Sequence, residues 1–411
     1  MPRRRNARPR RVLAFAGALV GLGALVATVI AAVSALVART VVIPPSRRED
    51  DIRILGVDLA ARRIRLSATA DSLLPGEYSL WFSGDSGHAR VGEIVGTERG
   101  GVTRELLGVD FGDIANARRG RMSGWFWLTP RELGVPYENV TVTTPLGPAP
   151  AWSIPAVTES DRWVILVHGR AVRRAETLRA VVPFRAAGYH SLLVSYRNDG
   201  EAPHSPDRRY ALGDREWVDV DAAMAFAIAR GAREIVLMGW SMGGATVLQA
   251  LTRSPRSALV TGVVLESPVV DWIATLDFQA RMRRLPSAVR WGVYTLIRSR
   301  WGRVVTGLAE PLDLGRLDFV ARASELDRPI LLLHSVDDGF VPATASIALA
   351  AARPDIVTFE EFTVARHTKL WNYDRTRWED AIVNWLEALD ADADAPSAEE
   401  GQSAEGTSQR A

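Results

Sequence analysis

From residue 140 onward the chain alternates short apolar runs with longer amphipathic stretches, and few architectures satisfy that alternation. The apolar runs are 163–167, 192–196, 234–238, 259–265, 329–333 and 356–364. Each is short and nearly continuous, the pattern of a strand buried on both faces. Helical periodicity falls between them, at 175–187, 214–229, 243–252 and 377–389. Strand and helix in turn predict an α/β fold, a mostly parallel sheet covered on both faces and joined by right-handed crossovers. Chemistry in such a sheet gathers just past the C-terminal strand ends. Ahead of this unit, 140–144 and 151–155 flank the turn Pro145-Leu146-Gly147-Pro148 and predict a hairpin.

The chain before residue 140 has a different character. Residues 12–38 carry no charge, long enough for a helix to cross a bilayer and too long for the apolar stretch of a cleaved signal. Six arginines lie in the leader 1–11, against Arg39, Arg47 and Arg48, which Glu49, Asp50 and Asp51 offset. That bias predicts a single-pass anchor with a cytoplasmic N-terminus and the folded mass outside. Residues 45–135 hold short alternating stretches, at 64–68, 78–82, 89–95 and 122–128, and predict a small β-rich module. Its histidine, His88, follows Gly87 and reads as an exposed loop residue without chemistry. The tail 391–411 is built from Asp, Ala, Ser, Glu and Gly and is expected to be disordered.

Composition narrows the chemistry. With 24% charged and 47% hydrophobic residues, the chain is neither disordered nor polytopic. The net charge of +2 is set by the leader, so the rest is slightly acidic, and no basic stripe interleaved with aromatics points to nucleic acid. There is no cysteine, which removes thiol nucleophiles, disulfides and zinc–thiolate sites together. A nucleophile here is an oxygen.

One strand runs straight into such an oxygen. The run 234–238 leads into Gly239-Trp240-Ser241-Met242-Gly243-Gly244, and a helix-forming stretch follows at once. Gly239 and Gly243 sit where a Cβ would clash in a tight turn, leaving Ser241 strained and projecting at a helix N-terminus. A serine hydroxyl needs a base, and the base an orienting carboxylate, in the chain order serine, acid, histidine. Of the six histidines, His367 alone follows the last strand and precedes the last helix. The acid belongs in the loop after 329–333, where Asp337 and Asp338 compete; Asp338 is preferred and Asp337 is the alternative. Donors for an oxyanion are expected from the backbone N–H of Met242 and of Arg170, with Gly169 permitting close approach and His168 propping the loop.

These residues resemble the α/β-hydrolase superfamily: the Ser241 turn, the His168-Gly169 loop, and His334 through Asp338 to Val341-Pro342 followed by His367. Within it they look most like the serine aminopeptidase-like, prolyl-oligopeptidase-like and membrane-anchored esterase-like members, over residues 138–390. The resemblance implies an acyl-enzyme on Ser241 with His367 as base and Asp338 behind it, needing no metal or cofactor. It also implies a cap, which 271–317 would supply as helices over the site. Two positions depart from the pattern. Ser335 stands where many members carry glycine, and Arg170 is bulky beside the expected oxyanion site. The segment 196–200 is open between a turn and a pocket wall. A carboxylic ester is the expected substrate, a peptide or amide the alternative, and a non-catalytic membrane-tethered binding protein the reading of another class.

Overall fold

The computed structural model describes residues 8–45 and 47–394. Most of the basic leader and the tail from residue 395 lie outside the described residues. The first element, α1 (Arg8–Val42), contains a 25-residue segment, Ala18–Val42, apolar and long enough to cross a membrane. Its two ends differ. Leu19, Leu22, Leu25 and Val29 are exposed, whereas Ser34, Ala38 and Val42, spaced at four residues, are buried on the folded body. The helix therefore runs past the expected limit at residue 38, because its last turns pack on protein.

Six antiparallel strands follow: β1 (Ile52–Asp58), β2 (Arg63–Ser67), β3 (Tyr78–Phe82), β4 (Gly87–Glu98), β5 (Gly101–Phe111) and β6 (Arg119–Ser123). They close into a barrel in the order β1-β2-β5-β4-β3-β6, with β6 returning to β1. Closure leaves no free edge for another chain to pair with. Ile52, Ile64, Leu66, Leu80, Val91 and Val102 fill the interior. The expectations for this module need three corrections. β1 and β5 lay outside the expected stretches. The stretch 122–128 is strand only to Ser123, after which the chain leaves the barrel so that Phe126 and Trp127 can pack on Trp371. His88 is a buried strand residue, not an exposed loop one.

The remaining elements are β7 (Glu138–Thr144), β8 (Gly147–Ile154), β9 (Arg162–Val167), α2 (Val181–Ala186), β10 (His190–Val194), α3 (Trp217–Ala229), β11 (Glu234–Trp240) and α4 (Met242–Arg253). After them come β12 (Val260–Glu266), α5 (Trp272–Met282), α6 (Ser287–Arg298), α7 (Arg303–Thr306), β13 (Ile330–Ser335), α8 (Thr344–Ala352), β14 (Val357–Phe362), α9 (Leu370–Tyr373) and α10 (Arg375–Asp394). The strands form one sheet in the order β14-β13-β12-β11-β9-β10-β8-β7. β9 to β14 are parallel, and the β7–β8 hairpin joins antiparallel at β10. Alternate residues of β9 serve the two faces. Trp163, Ile165 and Val167 pack under α3 and α4, while Val164 and Leu166 pack under α2 and α10.

The helix expected over 175–187 is divided: Arg174–Ala180 is a 3-10 turn and only α2 is α-helical. Pro183 has no N–H to offer the carbonyl four residues back, so the preceding turn tightens instead. α10 reaches Asp394, so the tail expected from 391 begins as helix. The segment after β12 forms α5, α6 and α7, of which α6 and α7 lie against α1.

Candidate active site

Ser241 stands between β11 and α4 with φ 50° and ψ −116°, a conformation that L-residues adopt only when the surroundings impose it. The glycines on either side show why. A Cβ on Gly239 would meet the Gly243 carbonyl oxygen at 2.4 Å, and one on Gly243 would meet the Val167 carbonyl oxygen at 2.2 Å. Strand, turn and helix are thus pressed together so that the hydroxyl is lifted clear of the sheet. The Ser241 N–H donates to the Glu266 carbonyl at 3.0 Å, and its own carbonyl accepts from Val269 at 3.0 Å, which holds the turn against β12.

His367 comes from the loop after β14 and brings Nε2 to 3.0 Å from Ser241 Oγ. Its Nδ1 lies 2.7 Å from Asp338 Oδ2, in the loop after β13. With the Nδ1 proton directed at the carboxylate, Nε2 is left to accept the serine proton. Asp338 is buried and fully committed: its Oδ1 accepts from the N–H groups of Phe340 and Val341 at 2.8 and 2.9 Å. His334 adds a second imidazole at 3.2 Å from Oδ2, itself held by Ser346 at 2.7 Å. Burial works against ionisation of Asp338, but the charge of His367 and the hydrogen bonds from His334 and His367 outweigh it and hold the carboxyl far below its ordinary value. Asp337 points away at the surface, 3.9 Å from Arg366.

The loop after β9 faces the serine from the other side. A Cβ on Gly169 would lie 3.3 Å from Ser241 Cβ. The Gly169 carbonyl accepts from the Tyr196 hydroxyl at 2.9 Å and contacts His168 Nδ1 at 2.8 Å, while His168 Nε2 reaches Asp199 at 3.2 Å. In a trans peptide the following N–H points opposite to the carbonyl, so these contacts aim the N–H of Arg170 away from them. Neither the Arg170 nor the Met242 N–H donates to another protein atom among the described residues. The Arg170 side chain turns from the site and donates to the carbonyls of Thr40 and Ile43 at the end of α1, at 2.8 and 2.9 Å. The segment 196–200 is a turn, and its Asn198 and Asp199 border a separate cleft between barrel and sheet.

Beneath the serine lies a buried charged cluster that sequence reasoning missed. Arg179 sits 3.9 Å from Glu266 and 4.0 Å from Glu176, all three buried. Glu176 accepts the Gly169 N–H at 3.0 Å, Glu266 accepts from the indoles of Trp240 and Trp378, and Arg179 donates to the Thr368 carbonyl at 2.8 Å. One guanidinium thus links the Gly169 loop, the serine turn and the His367 loop. These partners lie from three to nearly two hundred positions apart in the chain, and no local pattern marks them.

The barrel contains a second serine, histidine and aspartate in contact. His88 lies 2.7 Å from Ser79 Oγ and 2.8 Å from Asp110 Oδ2. The likeness ends there. Ser79 lies within β3, its hydroxyl also contacts the Trp125 carbonyl, and both Ser79 and His88 are wholly buried against Trp81. Burial pulls the His88 pKa below its ordinary value despite Asp110. This set ties β3, β4 and β5 together. His190 opens β10 at the far end of the sheet and His204 is exposed in a loop.

Two clefts meet at Ser241. One, of about 160 Å³, is walled by α1, α5 and α6. The other, of about 510 Å³, is polar and holds His367, Arg48, Arg283, Arg366 and Lys369.

Residues 53–123, the span of the barrel, match a domain of unknown function (DUF8805). Among solved structures, an esterase of Pyrococcus furiosus is similar at 19% identity over 64% of this chain and 94% of that one, with TM-score 0.49. The esterase Est1E of Butyrivibrio proteoclasticus with bound ferulic acid is 14% identical over 61% and 99%, with TM-score 0.47. A putative aryl esterase of Burkholderia cenocepacia is 20% identical over 62% and 100%, with TM-score 0.43. Residues 164–384, more than half of the chain, match the alpha/beta hydrolase family, and the chain belongs to it.

Proposed function

We propose that the protein is a membrane-associated serine hydrolase of carboxylic esters. Ser241 Oγ attacks the ester carbonyl as its proton passes to His367 Nε2, and Asp338 stabilises the imidazolium that forms. The N–H groups of Met242 and Arg170 receive the oxyanion. His367 then protonates the departing alcohol, water attacks the acyl-enzyme with His367 as base, and the acid leaves with Ser241 restored. The observation that carries this reading is a strained, protruding serine 3.0 Å from an imidazole that is itself 2.7 Å from a buried carboxylate. An ester is favoured over an amide by the apolar cleft at Ser241, whose walls offer few partners to a peptide backbone.

Of the expected anchor 12–38, residues 12–33 are proposed to lie in the bilayer while Ser34 and Ala38 rest on the folded body, with the arginine-rich leader keeping the N-terminus cytoplasmic. The test of the activity is hydrolysis of p-nitrophenyl esters against aminoacyl anilides. Ester turnover that falls by about 10⁶-fold in Ser241→Ala supports it; anilide turnover exceeding ester turnover, or full activity in Ser241→Ala, refutes it.

A further inference from the structure

The wall of the apolar cleft at Ser241 is not supplied by the hydrolase unit alone. Val37 and Val41 of α1 line it together with Leu276 and Ala280 of α5 and Val289 and Val293 of α6. The helix that is apolar enough to cross a bilayer is therefore also one side of the site. The contact is close and specific. The Ser34 hydroxyl, which donates to the Ile30 carbonyl of its own helix at 2.7 Å, also lies 3.2 Å from the Val289 carbonyl, and a Cβ at Gly292 would come within 2.4 Å of Ser34 Oγ. Arg39 donates to the Val305 carbonyl at 2.9 Å, tying α1 to α7 as well.

This packing sets the depth of the cap relative to a bilayer. Residues 12–33 make about 33 Å of helix, close to the hydrocarbon thickness of about 30 Å. With that stretch spanning the bilayer, Ser34 would be level with the membrane surface and α6 would rest there. The outer face of the cap has the composition such a position requires. Trp291 is 72% exposed and Val304 90%, with Trp301 and Met282 also exposed, and Arg298, Arg300 and Arg303 stand among them. Indoles and arginines of this kind settle at the headgroup layer.

On the other side of Ser241 the polar cleft is biased to positive charge. Arg366 and Lys369 share Asp71, at 2.9 Å each, and Arg366 also lies 3.9 Å from Asp337. Arg48 and Arg283 pair with no carboxylate among the described residues, and Arg48 reaches only the Arg170 carbonyl. Ser241 thus stands at the junction of an apolar groove continuous with a membrane helix and a cationic cleft facing water.

We infer that the substrate is a bilayer-resident amphiphile, an acyl ester with an anionic head group, whose chain lies along α1 between Val37 and Val41 and whose head group meets Arg48 and Arg283. This rests on the serine-hydrolase reading above. The groove volume near the serine, about 160 Å³, matches a cavity that admits benzene, so it takes the first several carbons of the chain and the remainder follows α1 toward the lipid. The products would be a fatty acid and an anionic alcohol, one returning to the bilayer and the other to water.

The test uses the full chain in vesicles of ether-linked, hydrolysis-resistant phosphatidylcholine. A fluorophosphonate probe first reports whether Ser241 is reactive in each protein. Two series of ester probes follow: p-nitrophenyl esters of increasing acyl length, and lysophosphatidylglycerol against lysophosphatidylcholine. The wild type is expected to gain about fourfold in kcat/KM per methylene over the first several carbons, from burial of each methylene. Val41→Trp and, independently, Val37→Trp fill the groove and should flatten that slope toward one. Lysophosphatidylglycerol should be preferred, and Arg48→Gln with Arg283→Gln should reduce the preference by about tenfold. A labelled Ser241 with no chain-length slope, no headgroup preference, or a slope untouched in both groove variants overturns this inference alone. A wild-type Ser241 that the probe does not label overturns the hydrolase reading and this one with it.

Discussion

Asp71, on the rim of the barrel, lies 2.9 Å from Arg366, the residue immediately before His367. The same carboxylate is 2.9 Å from Lys369, two residues after it. Burial opposes its ionisation, but the two cations win and lower its pKa below the ordinary value. The barrel thus grips the histidine loop from both sides. It does so where Arg366 and Thr368 each hold positive φ, at 59° and 51°, a conformation that needs outside support.

Asp71→Asn should therefore lower kcat by about tenfold while leaving the fold intact, because the loop loses its charged clamp and His367 drifts from Ser241. Asp71→Glu should restore most of the loss. Steady-state kinetics with a p-nitrophenyl ester, together with circular dichroism, check it; unchanged kcat in Asp71→Asn would show the barrel to be a bystander.

Asp338 makes a statement about acid. Its folded pKa lies far below the ordinary 3.8, so the stabilisation it provides is complete above that value and is lost as pH falls below it toward the folded value. In urea titrations the stability gap between wild type and Asp338→Asn should narrow as pH falls below about 4. The same variant should lose about 10⁴-fold in kcat, since an amide no longer stabilises the imidazolium. A gap that still widens below about pH 4 contradicts the assignment.

Arg179 is expected to matter more for folding than for substrate. Arg179→Met would leave Glu266 buried without a cation, at a cost of about 3–5 kcal/mol. One oxygen of Glu266 already has no hydrogen-bond partner among the described residues, and burial raises its pKa. Adding Glu266→Gln should recover part of the loss in urea unfolding. Additive losses would mean the two residues do not interact.

The two ends of α1 should be separable. Deleting residues 2–29 removes the exposed part and should give a protein that leaves the membrane fraction yet still hydrolyses short esters. Extending the deletion through Val42 strips Val289 and Val293 of cover and should cause aggregation, measured by light scattering. Equal solubility of the two truncations would contradict the packing of Ser34, Ala38 and Val42.

Much of this architecture could be read from residue order. The parallel strands announce themselves because they are buried on both faces, and the serine turn because only glycine fits beside it. What escaped reading shares a physical cause. The barrel strands β1 and β5 alternate weakly, and their pairing joins residues far apart in sequence. Gly87 suggested a turn before His88, yet it is there because the Phe82 ring packs where its Cβ would stand. The last turns of α1 looked like the rest of an apolar span, since uniform hydrophobicity hides which face meets protein. His334 ended a strand on the right edge, but only its distance to Asp338 reveals that it is a second donor.

The central claim is that Ser241 is made nucleophilic by His367. The direct measurement is the rate of covalent labelling by a fluorophosphonate in wild type, Ser241→Ala and His367→Ala, with the modified peptide mapped by mass spectrometry. The expected result is a single label on Ser241, absent in Ser241→Ala and slowed by about 10³-fold or more in His367→Ala. A label elsewhere, or undiminished labelling of Ser241 without His367, would contradict it.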